Sequence, residues 1–251
     1  MKEHQTIAGW LEQAACAVAF TGAGISTESG IPDFRSPGGV WSQSKPVYFD
    51  EFLASPEARY EYWRQKAVSH QQFSASQPNA GHQILARWQQ AGLLRALITQ
   101  NIDGLHQEAG SHDVIELHGT ARYVACLDCH KRFDADPLVH RFLWTDQVPQ
   151  CPACGGVMKH ATISFGQMLD PGVLERATEW SARSDLFLAM GSSLVVHPAA
   201  SLPLLAKRNG ARLVIINRDP TGQDRLADLV IHASIGETLT AIDRCLGATQ
   251  E

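Results

Sequence analysis

The stretch TQNIDGLH at residues 99–106 places several side chains that can form hydrogen bonds directly after an apolar run. Gln100, Asn101, Asp103 and His106 together supply amide, carboxylate and imidazole groups, which can hold a polar ligand and exchange a proton. Turns between two elements rarely carry so many different hydrogen-bonding side chains in so few positions. The stretch therefore predicts part of a binding site rather than a plain connection.

The glycine-rich stretch FTGAGISTESGIPDFRS at residues 20–36 is a second candidate. Gly22 and Gly24 follow a short apolar run, where the backbone can turn tightly and offer amide N–H groups to a pyrophosphate. The usual dinucleotide fingerprint requires a third glycine at position 27, which here is Thr27. Two interpretations stay open at this point, a phosphate-binding loop and a plain strand-to-helix turn.

Three further segments fit the same kind of site. Asp33, Phe34 and Arg35 combine an acid, a ring and a cation, which suits an amide or ribose pocket with an anion contact but also a local surface ion pair. His118 follows an apolar run in ELHGT, and a histidine is the natural general base near neutral pH. The segment NRD at 217–219 follows another apolar run and can bind ribose hydroxyls or cap a turn.

Two CxxC pairs, at 126–129 and 151–154, are separated by 21 residues. Two intervening residues let both thiolates of a pair reach one tetrahedral ion, and four thiolates leave no open position for water. The pattern predicts one structural zinc ion, with a redox-active pair of dithiols as the alternative.

Short apolar runs alternate with helical patterns along the chain, which is typical of a parallel sheet covered on both faces. Several runs end in a polar or glycine cluster, and ligands bind at the carboxyl ends of the strands in such sheets. The predicted fold is therefore α/β, a doubly wound parallel sheet. The predicted strands are residues 16–20, 94–98, 114–117, 186–190 and 212–216. The predicted helices are residues 4–16, 49–70, 80–91, 171–183, 199–207 and 237–246, and a loop is predicted at 34–48.

The composition argues against several other classes of protein. The 251 residues carry a net charge of −5 without a Lys/Arg block, which disfavours a nucleic-acid-binding surface. No apolar stretch approaches the roughly 20 residues needed to span a bilayer. The first ten residues lack the basic-then-apolar pattern of an export signal. We therefore expect a cytoplasmic protein without a membrane or nucleic-acid partner.

Taken in order, several segments of the chain resemble those of the sirtuins, the NAD-dependent protein-lysine deacylases. These segments are GAGIS, GIPDFRS, TQNIDGLH, ELHG, the two CxxC pairs, FGQ, GSSLVVHPA and INRD, and they extend from about residue 15 to 240. The resemblance implies a Rossmann-like NAD-binding domain and a small domain, with the substrate between them. The implied Rossmann-like domain comprises residues 1–35, 79–120 and 159–251, and the small domain comprises a helical insertion at 36–78 and a zinc-binding module at 121–158.

The resemblance also implies a reaction. The acyl-lysine carbonyl oxygen attacks C1′ of the nicotinamide ribose, nicotinamide leaves, and after addition of water the products are free lysine and an O-acyl-ADP-ribose. His118 would be the general base, and Asn101 and Asp103 would order the nicotinamide pocket. NAD would be the co-substrate and zinc a structural ion. Acyl-lysine proteins or peptides would be the partners of a chain that we expect to be a monomer.

The same resemblance assigns roles to individual residues. Phe34 would screen the reactive centre from water, and Arg35 would contact the phosphates. The implied NAD-binding residues are Gly22, Ala23, Gly24, Ser26, Asp33, Phe34, Arg35, Trp41, Gln100, Asn101, Ile102, Asp103, Gly191, Ser192, Ser193, Asn217, Arg218, Asp219 and Ile235. The implied peptide-binding residues are Ile163, Phe165, Gly166, Leu194, Val195 and Val196. The implied zinc ligands are Cys126, Cys129, Cys151 and Cys154.

Departures from the sirtuin pattern bear on the substrate. The usual FGE segment ends here in Gln167. Sirtuins that prefer succinyl- or malonyl-lysine carry a Tyr-x-x-Arg pair, whereas Tyr62 is followed three positions later by Gln65, so the sequence does not favour an acidic acyl group. The segments YWRQ and QFSASQPN resemble a mitochondrial subgroup with weak deacetylase, lipoyl-type deacylase and ADP-ribosyltransferase activity, which allows a longer acyl group.

Two other functions remain open on the sequence. A mono-ADP-ribosyltransferase would activate NAD in the same way but transfer ADP-ribose to a different acceptor. A non-catalytic sensor of NAD or ADP-ribose would need no base, so the presence of Asn101, Asp103 and His118 argues against it.

Overall fold

The computed structural model describes residues 2–33 and 45–248, which form nine strands, nine α-helices and three short 3-10 helices. The strands are β1 (Ala17–Thr21), β2 (Ala96–Thr99), β3 (Ile115–Glu116), β4 (Gly119–Cys126), β5 (Arg132–Asp134), β6 (Met158–Thr162), β7 (Leu186–Met190), β8 (Arg212–Ile216) and β9 (Leu229–Ile231). The helices are α1 (Lys2–Gln13), α2 (Phe49–Ala54), α3 (Pro56–Ala75), α4 (Ala80–Gln90), α5 (Leu105–Glu108), α6 (Ala135–Thr145), α7 (Pro171–Arg183), α8 (Leu202–Arg208) and α9 (Ile235–Ala248). The 3-10 helices are Ala23–Ser29, Ala199–Ser201 and Asp224–Leu226.

The larger sheet has six parallel strands in the order β3-β2-β1-β7-β8-β9. The strand order reverses direction between β1 and β7, so the loops that follow these two strands diverge and leave a crevice at their carboxyl ends. The predicted α/β fold with a doubly wound parallel sheet is therefore confirmed.

The central strands are apolar at every position because both faces of the sheet are covered. All five residues of β1 and all five of β7 are buried. In β1, Ala17 and Ala19 face a core formed with α1, α4 and α9, whereas Val18 and Phe20 face a second core formed with α7 and α8. Side chains alternate between the two faces of a strand, so one short apolar segment contributes to both cores.

A second sheet of three antiparallel strands, in the order β5-β4-β6, lies in a separate core with α2, α3 and α6. Trp63 of α3 is fully buried there, and its Nε1–H donates to the carbonyl oxygen of Met158 at 3.1 Å. β4 begins at Gly119 and β6 ends at Thr162, so this sheet crosses both limits of the predicted zinc-binding module.

The structure differs from the predicted elements in several places. The helix predicted at 49–70 is two helices, because Ser55 ends α2 and caps α3 by accepting a hydrogen bond from the amide of Ala58 at 3.2 Å. The sequence pattern missed β9, a strand of only three residues, and all three strands of the smaller sheet. Within residues 2–33 and 45–248, no helix is long and apolar enough to span a membrane.

The loops after β1 and β7 cross in direct backbone contact. The amide of Gly22 donates to the carbonyl oxygen of Met190 at 2.9 Å, and that of Gly24 donates to Gly191 at 2.8 Å. These two amides therefore hold β7 in place, which corrects the expectation that they are donors for a pyrophosphate. Gly191 has a φ of 63°, a left-handed conformation that favours glycine.

Replacing Gly191 with alanine should destabilise the fold. A Cβ at this position would lie 2.5 Å from the amide nitrogen of Ile25 and 2.8 Å from the carbonyl carbon of Gly24. Backbone strain and overpacking together should lower the free energy of unfolding by about 3 kcal/mol. Urea denaturation measures this change. The matched control is Gly9→Ala in α1, where a Cβ meets no atom within 4 Å. Gly9→Ala should raise stability by about 0.5–1 kcal/mol, and equal unfolding midpoints for the two variants would contradict the analysis.

Candidate active site

A cavity of about 1330 Å³ opens at the carboxyl ends of the parallel strands. Its wall brings together loops from both halves of the large sheet and segments beside the small one. The predicted site residues that line it are Ala23, Gly24, Ser26, Asp33, Gln100, Asn101, Ile102, Asp103, His118, Ile163, Phe165, Gly166, Gly191, Ser192, Ser193, Val196, Asn217, Arg218, Asp219 and Ile235.

A few predicted site residues are not part of this wall. Gly22, Leu194 and Val195 lie beside it in the chain, and the side chain of Leu194 is buried in the core with α7 and α8. Phe34, Arg35 and Trp41 lie outside the residues that the structure describes.

A chain of directed hydrogen bonds fixes the carboxylate of Asp103. The amide of Asn79 donates to Nδ1 of His82 at 3.4 Å, so the ring proton of His82 lies on Nε2, which is 3.4 Å from Oγ of Ser26. The Ser26 hydroxyl then donates to Oδ2 of Asp103 at 2.8 Å, and the amide of Leu105 donates to Oδ1 at 3.0 Å. Both carboxylate oxygens are therefore held before any ligand arrives.

A second chain fixes the backbone at Asn101. The Thr21 hydroxyl donates to Oγ1 of Thr99 at 2.8 Å, so Thr21 accepts from Nε2 of His106, 2.9 Å away. Oγ1 of Thr99 also accepts the amide of Asn101 at 3.0 Å. The Asn101 side chain meets the first chain, because its Nδ2 donates to Oγ of Ser26 at 3.1 Å.

Burial keeps the histidines of both chains neutral. Desolvation lowers the pKa of His82 to about 4, although the negative charge of Asp103 opposes this shift. Desolvation also lowers the pKa of His106 well below its usual range, and His82 adds to this effect. Neutral rings present one donor and one acceptor each, which gives each chain a fixed direction.

His118 has the geometry of a general base. Its Nδ1 lies 2.9 Å from the carbonyl oxygen of Gln100, which can only accept, so Nδ1 carries the proton and Nε2 is the basic atom. Burial lowers the pKa of His118, and the bond to Gln100 partly opposes this. The side chain is therefore neutral near pH 7 and can take up a proton.

The loops after β7 and β8 complete the wall. The Ser192 hydroxyl donates to Oε1 of Gln100 at 2.8 Å, which ties the loop after β7 to the loop after β2. Across the cavity, the guanidinium of Arg218 lies 3.7 Å from the carboxylate of Asp33. Polar groups from four separate loops thus face one volume, an arrangement that fits a large polar ligand such as a dinucleotide.

The four predicted zinc ligands converge away from this cavity. The Sγ atoms of Cys126, Cys129, Cys151 and Cys154 all lie within 4.8 Å of one another. Sγ of Cys126 is 3.5 Å from that of Cys154, and Sγ of Cys129 is 3.7 Å from that of Cys151. Four thiolates at about 2.3 Å from a tetrahedral zinc ion would lie about 3.8 Å apart, so the donor set fits a structural zinc ion.

Comparisons with known proteins agree with this geometry. The model of the Sir2 family matches residues 22–198 of the chain. An NAD-dependent protein deacetylase of Rhodopseudomonas palustris is 54% identical over 91% of this chain and 91% of its own length. The chain belongs to the Sir2 family.

Solved Sir2 structures share the whole fold. A complex of Sir2 with a p53 peptide and NAD+ superposes with a TM-score of 0.87 at 37% identity, covering 97% of this chain and 98% of that one. A complex of a Sir2 homologue mutant with ADP-ribose gives a TM-score of 0.89 at 34% identity, covering 98% and 97%. The NAD-dependent protein deacetylase 1 of Geobacillus kaustophilus is 44% identical over 96% of this chain and 98% of its own length.

Glu28 and Asn79 are among the residues of this Sir2 site that were not predicted from the sequence. Glu28 lines the cavity, and its Oε1 accepts the amide of Gly236, 208 positions away, at 3.0 Å. No local pattern indicates a pairing over that separation. Asn79 caps α4 and donates from Nδ2 to the carbonyl oxygen of Ile25 at 2.7 Å. An asparagine before a helical pattern is a recognisable capping signal, so Asn79 could have been found.

The protonation state of His118 can be tested directly. A histidine NMR titration should give His118 a midpoint below the ordinary value of about 6.5, with the proton on Nδ1 in the neutral form. The unfolded chain takes up this proton more readily, so His118 also makes the fold less stable as the pH falls below about 6.5. His118→Gln assigns the signal by its loss. A midpoint above the ordinary value, or a proton on Nε2, would contradict the assignment.

Loss of the cysteine cluster should remove zinc and destabilise the chain. We expect Cys151→Ala to lower the zinc content from one ion per chain and to lower the melting temperature by roughly 10 °C or more. Mass-spectrometric metal analysis and thermal denaturation measure the two effects. Cys245→Ala, outside the cluster, serves as the control and should keep its zinc. A zinc-free Cys151→Ala protein with the melting temperature of the unmodified chain would refute a structural role.

Proposed function

We propose that this Sir2 chain removes acyl groups from lysine side chains of proteins or peptides, with NAD as the co-substrate. The observation that carries the proposal is the position of a neutral His118 in the same cavity wall as the preorganised Asn101–Asp103 loop. Supporting it, the relatives named above are NAD-dependent protein deacetylases, and a solved Sir2 structure contains NAD+ together with a p53 peptide.

Two groups of cavity residues would bind the two ends of NAD. At one end, Gln100, Asn101, Ile102 and Asp103 would hold the nicotinamide and its ribose. At the other, the loops after β7 and β8 would hold the phosphates and the adenosine. The residues proposed there are Gly191, Ser192, Ser193, Asn217, Arg218, Asp219 and Ile235.

The chemistry follows from what NAD supplies, a glycosidic bond to a good leaving group at C1′ of the ribose. The acyl oxygen replaces nicotinamide at that carbon, and with one water the products are free lysine and O-acyl-ADP-ribose. The protein contributes orientation and exclusion of water, because the acyl oxygen is a poor nucleophile. His118 would accept the proton of a ribose hydroxyl through Nε2 as that hydroxyl attacks the acyl carbon.

The peptide would bind as an added strand between two segments of the wall. Ile163, Phe165 and Gly166 lie on one side, and Leu194, Val195 and Val196 on the other. Backbone pairing of this kind recognises an extended peptide without requiring a particular sequence. Val195 is 56% exposed, which leaves its segment accessible to a partner.

Further proposals concern the organisation of the chain. We propose the division given above, 1–35, 79–120 and 159–251 for the NAD-binding domain and 36–78 with 121–158 for the small domain, with the small sheet extending past the last range to Gly119 and Thr162. The separate core around Trp63 supports this division. We also propose that the protein acts in the cytoplasm as a monomer and without a nucleic-acid partner. The net charge of −5 supports the last of these proposals.

The proposed function predicts turnover of an acetyl-lysine peptide with NAD. Purified protein should release nicotinamide and produce equal amounts of bare lysine and O-acetyl-ADP-ribose, as measured by mass spectrometry. His118→Ala should lower kcat/KM by about 10²–10⁴-fold, since it removes the general base, while NAD binding by calorimetry persists. His140→Ala, an exposed histidine of α6, is the matched control and should keep full turnover.

Other products would identify the competing functions. ADP-ribose attached to a protein acceptor without loss of the acetyl group would indicate the mono-ADP-ribosyltransferase. Tight NAD binding with no reaction would indicate the sensor. Unchanged turnover in His118→Ala would refute the role of His118 as the base.

A further inference from the structure

Among the described residues, two lysines beside the cavity have no acidic partner. Lys66 of α3 lines the cavity, and Lys159 of β6 is 2% exposed. In the described part of the chain, neither ammonium group lies within 4.0 Å of a carboxylate. Arg64 lies on the same helix as Lys66 but has an acidic partner. Its Nε is 2.7 Å from Oε2 of Glu61, which neutralises its charge. Unpaired cations in partly dry surroundings are costly, so their presence requires an explanation.

The two ammonium groups converge on one aromatic ring. Nζ of Lys66 lies 5.6 Å from the ring centroid of Tyr62, and Nζ of Lys159 lies 5.4 Å from it. Tyr62 itself is in the cavity wall, and its hydroxyl is 3.4 Å from Oγ1 of Thr162, another wall residue. The positive charge is thus gathered at one place in the cavity rather than spread over the surface.

The surroundings of this lysine pair add no negative charge. Nζ of Lys159 donates to the carbonyl oxygens of Thr162 and His160, which are neutral. His160 is buried, and neither ring nitrogen has a hydrogen-bond partner among the described residues. Nε2 of His70, close to His160, lies 2.8 Å from Oδ1 of Asp136, so the carboxylate of Asp136 already has a partner. Within the part of the chain that the structure describes, the lysine pair therefore has no counter-ion.

Burial and mutual repulsion oppose the charge of both lysines. Burial lowers the pKa of Lys66 to about 8, and burial with repulsion from Lys66 lowers that of Lys159 to about 7. Most Lys66 side chains are therefore still protonated near pH 7. An anion beside Lys66 would raise its pKa and favour the charged form further. A carboxylate of the substrate would supply both the missing charge and a hydrogen-bond acceptor.

We propose that the acyl-binding end of the cavity carries a carboxylate subsite formed by Lys66, with Lys159 behind it, and that the enzyme removes dicarboxylic acyl groups such as succinyl from lysine. This inference rests on the proposed deacylase function and names its substrate class. Lys66 is four residues after Tyr62, one helical turn further along the same face of α3. The Tyr-x-x-Arg spacing points to Gln65 instead, whose Nε2 donates to Lys45 and Glu61.

The test compares three forms of one peptide whose lysine carries acetyl, succinyl or succinamyl, the uncharged amide of the succinyl group. Succinyl and succinamyl have the same length, so their ratio of kcat/KM isolates the negative charge. The unmodified protein should prefer succinyl by about tenfold or more, the contribution of a charge-assisted hydrogen bond. Nicotinamide release with NAD present, confirmed by mass spectrometry of the peptide, gives the rates.

Three variants assign the preference to the subsite. Lys66→Met should bring the succinyl-to-succinamyl ratio close to one, whereas Lys66→Arg should keep most of it. Lys159→Met should reduce the ratio by a smaller factor, because Lys159 acts from behind. Arg64→Met is the matched control, since it removes a cation of α3 that Glu61 already neutralises, and it should leave the ratio within about twofold.

The outcomes separate this inference from the function on which it rests. An unmodified protein that removes acetyl but does not prefer succinyl over succinamyl overturns the carboxylate subsite and leaves the deacylase intact, whatever the variants do. A preference that survives in Lys66→Met also overturns the subsite. A protein that turns over none of the three peptides refutes the deacylase function itself.

Discussion

Two hydrogen-bond chains that begin at buried, neutral histidines hold the loop after β2, and the rest of the site depends on them. One runs from His82 through Ser26 to the carboxylate of Asp103, and the other runs from His106 through two threonines to the backbone of Asn101. Protonation would add a proton at Nδ1, which would break the bond from the Asn79 amide to His82 and leave a buried donor without a described partner on His106. The low dielectric of the core therefore both strengthens these bonds and keeps the histidines neutral.

Close backbone packing brings the other loops to this network. The amides of Gly22 and Gly24 bind the end of β7, and Ser192, directly after Gly191, then reaches Gln100. Side chains on the crossing glycines would separate β1 from β7 and move their loops apart. The glycine pattern that suggested phosphate binding thus has a structural role, because it sets the distance between two halves of the cavity wall.

Burial has opposite consequences for two kinds of basic residue in the same cavity. It keeps His118 neutral near pH 7, so that Nε2 is free to accept a proton. It makes Lys66 and Lys159 unfavourable as isolated cations, because no described carboxylate balances them. The neutral ring of His118 suits the proton transfer proposed above. The unbalanced lysines indicate that the far end of a bound acyl group would have to carry a negative charge.

The sequence alone determined five of the six strands of the large sheet, its longer helices, the four converging cysteines and most of the predicted residues of the cavity wall. Those features rest on local patterns, since a strand buried on both faces is continuously apolar and the loops at its carboxyl end are polar. The smaller sheet, the 208-residue link between Glu28 and Gly236 and the unpaired state of Lys66 depended on the tertiary structure. Short, partly exposed strands carry weak patterns, and whether a charge has a partner depends on which distant segments fold against it.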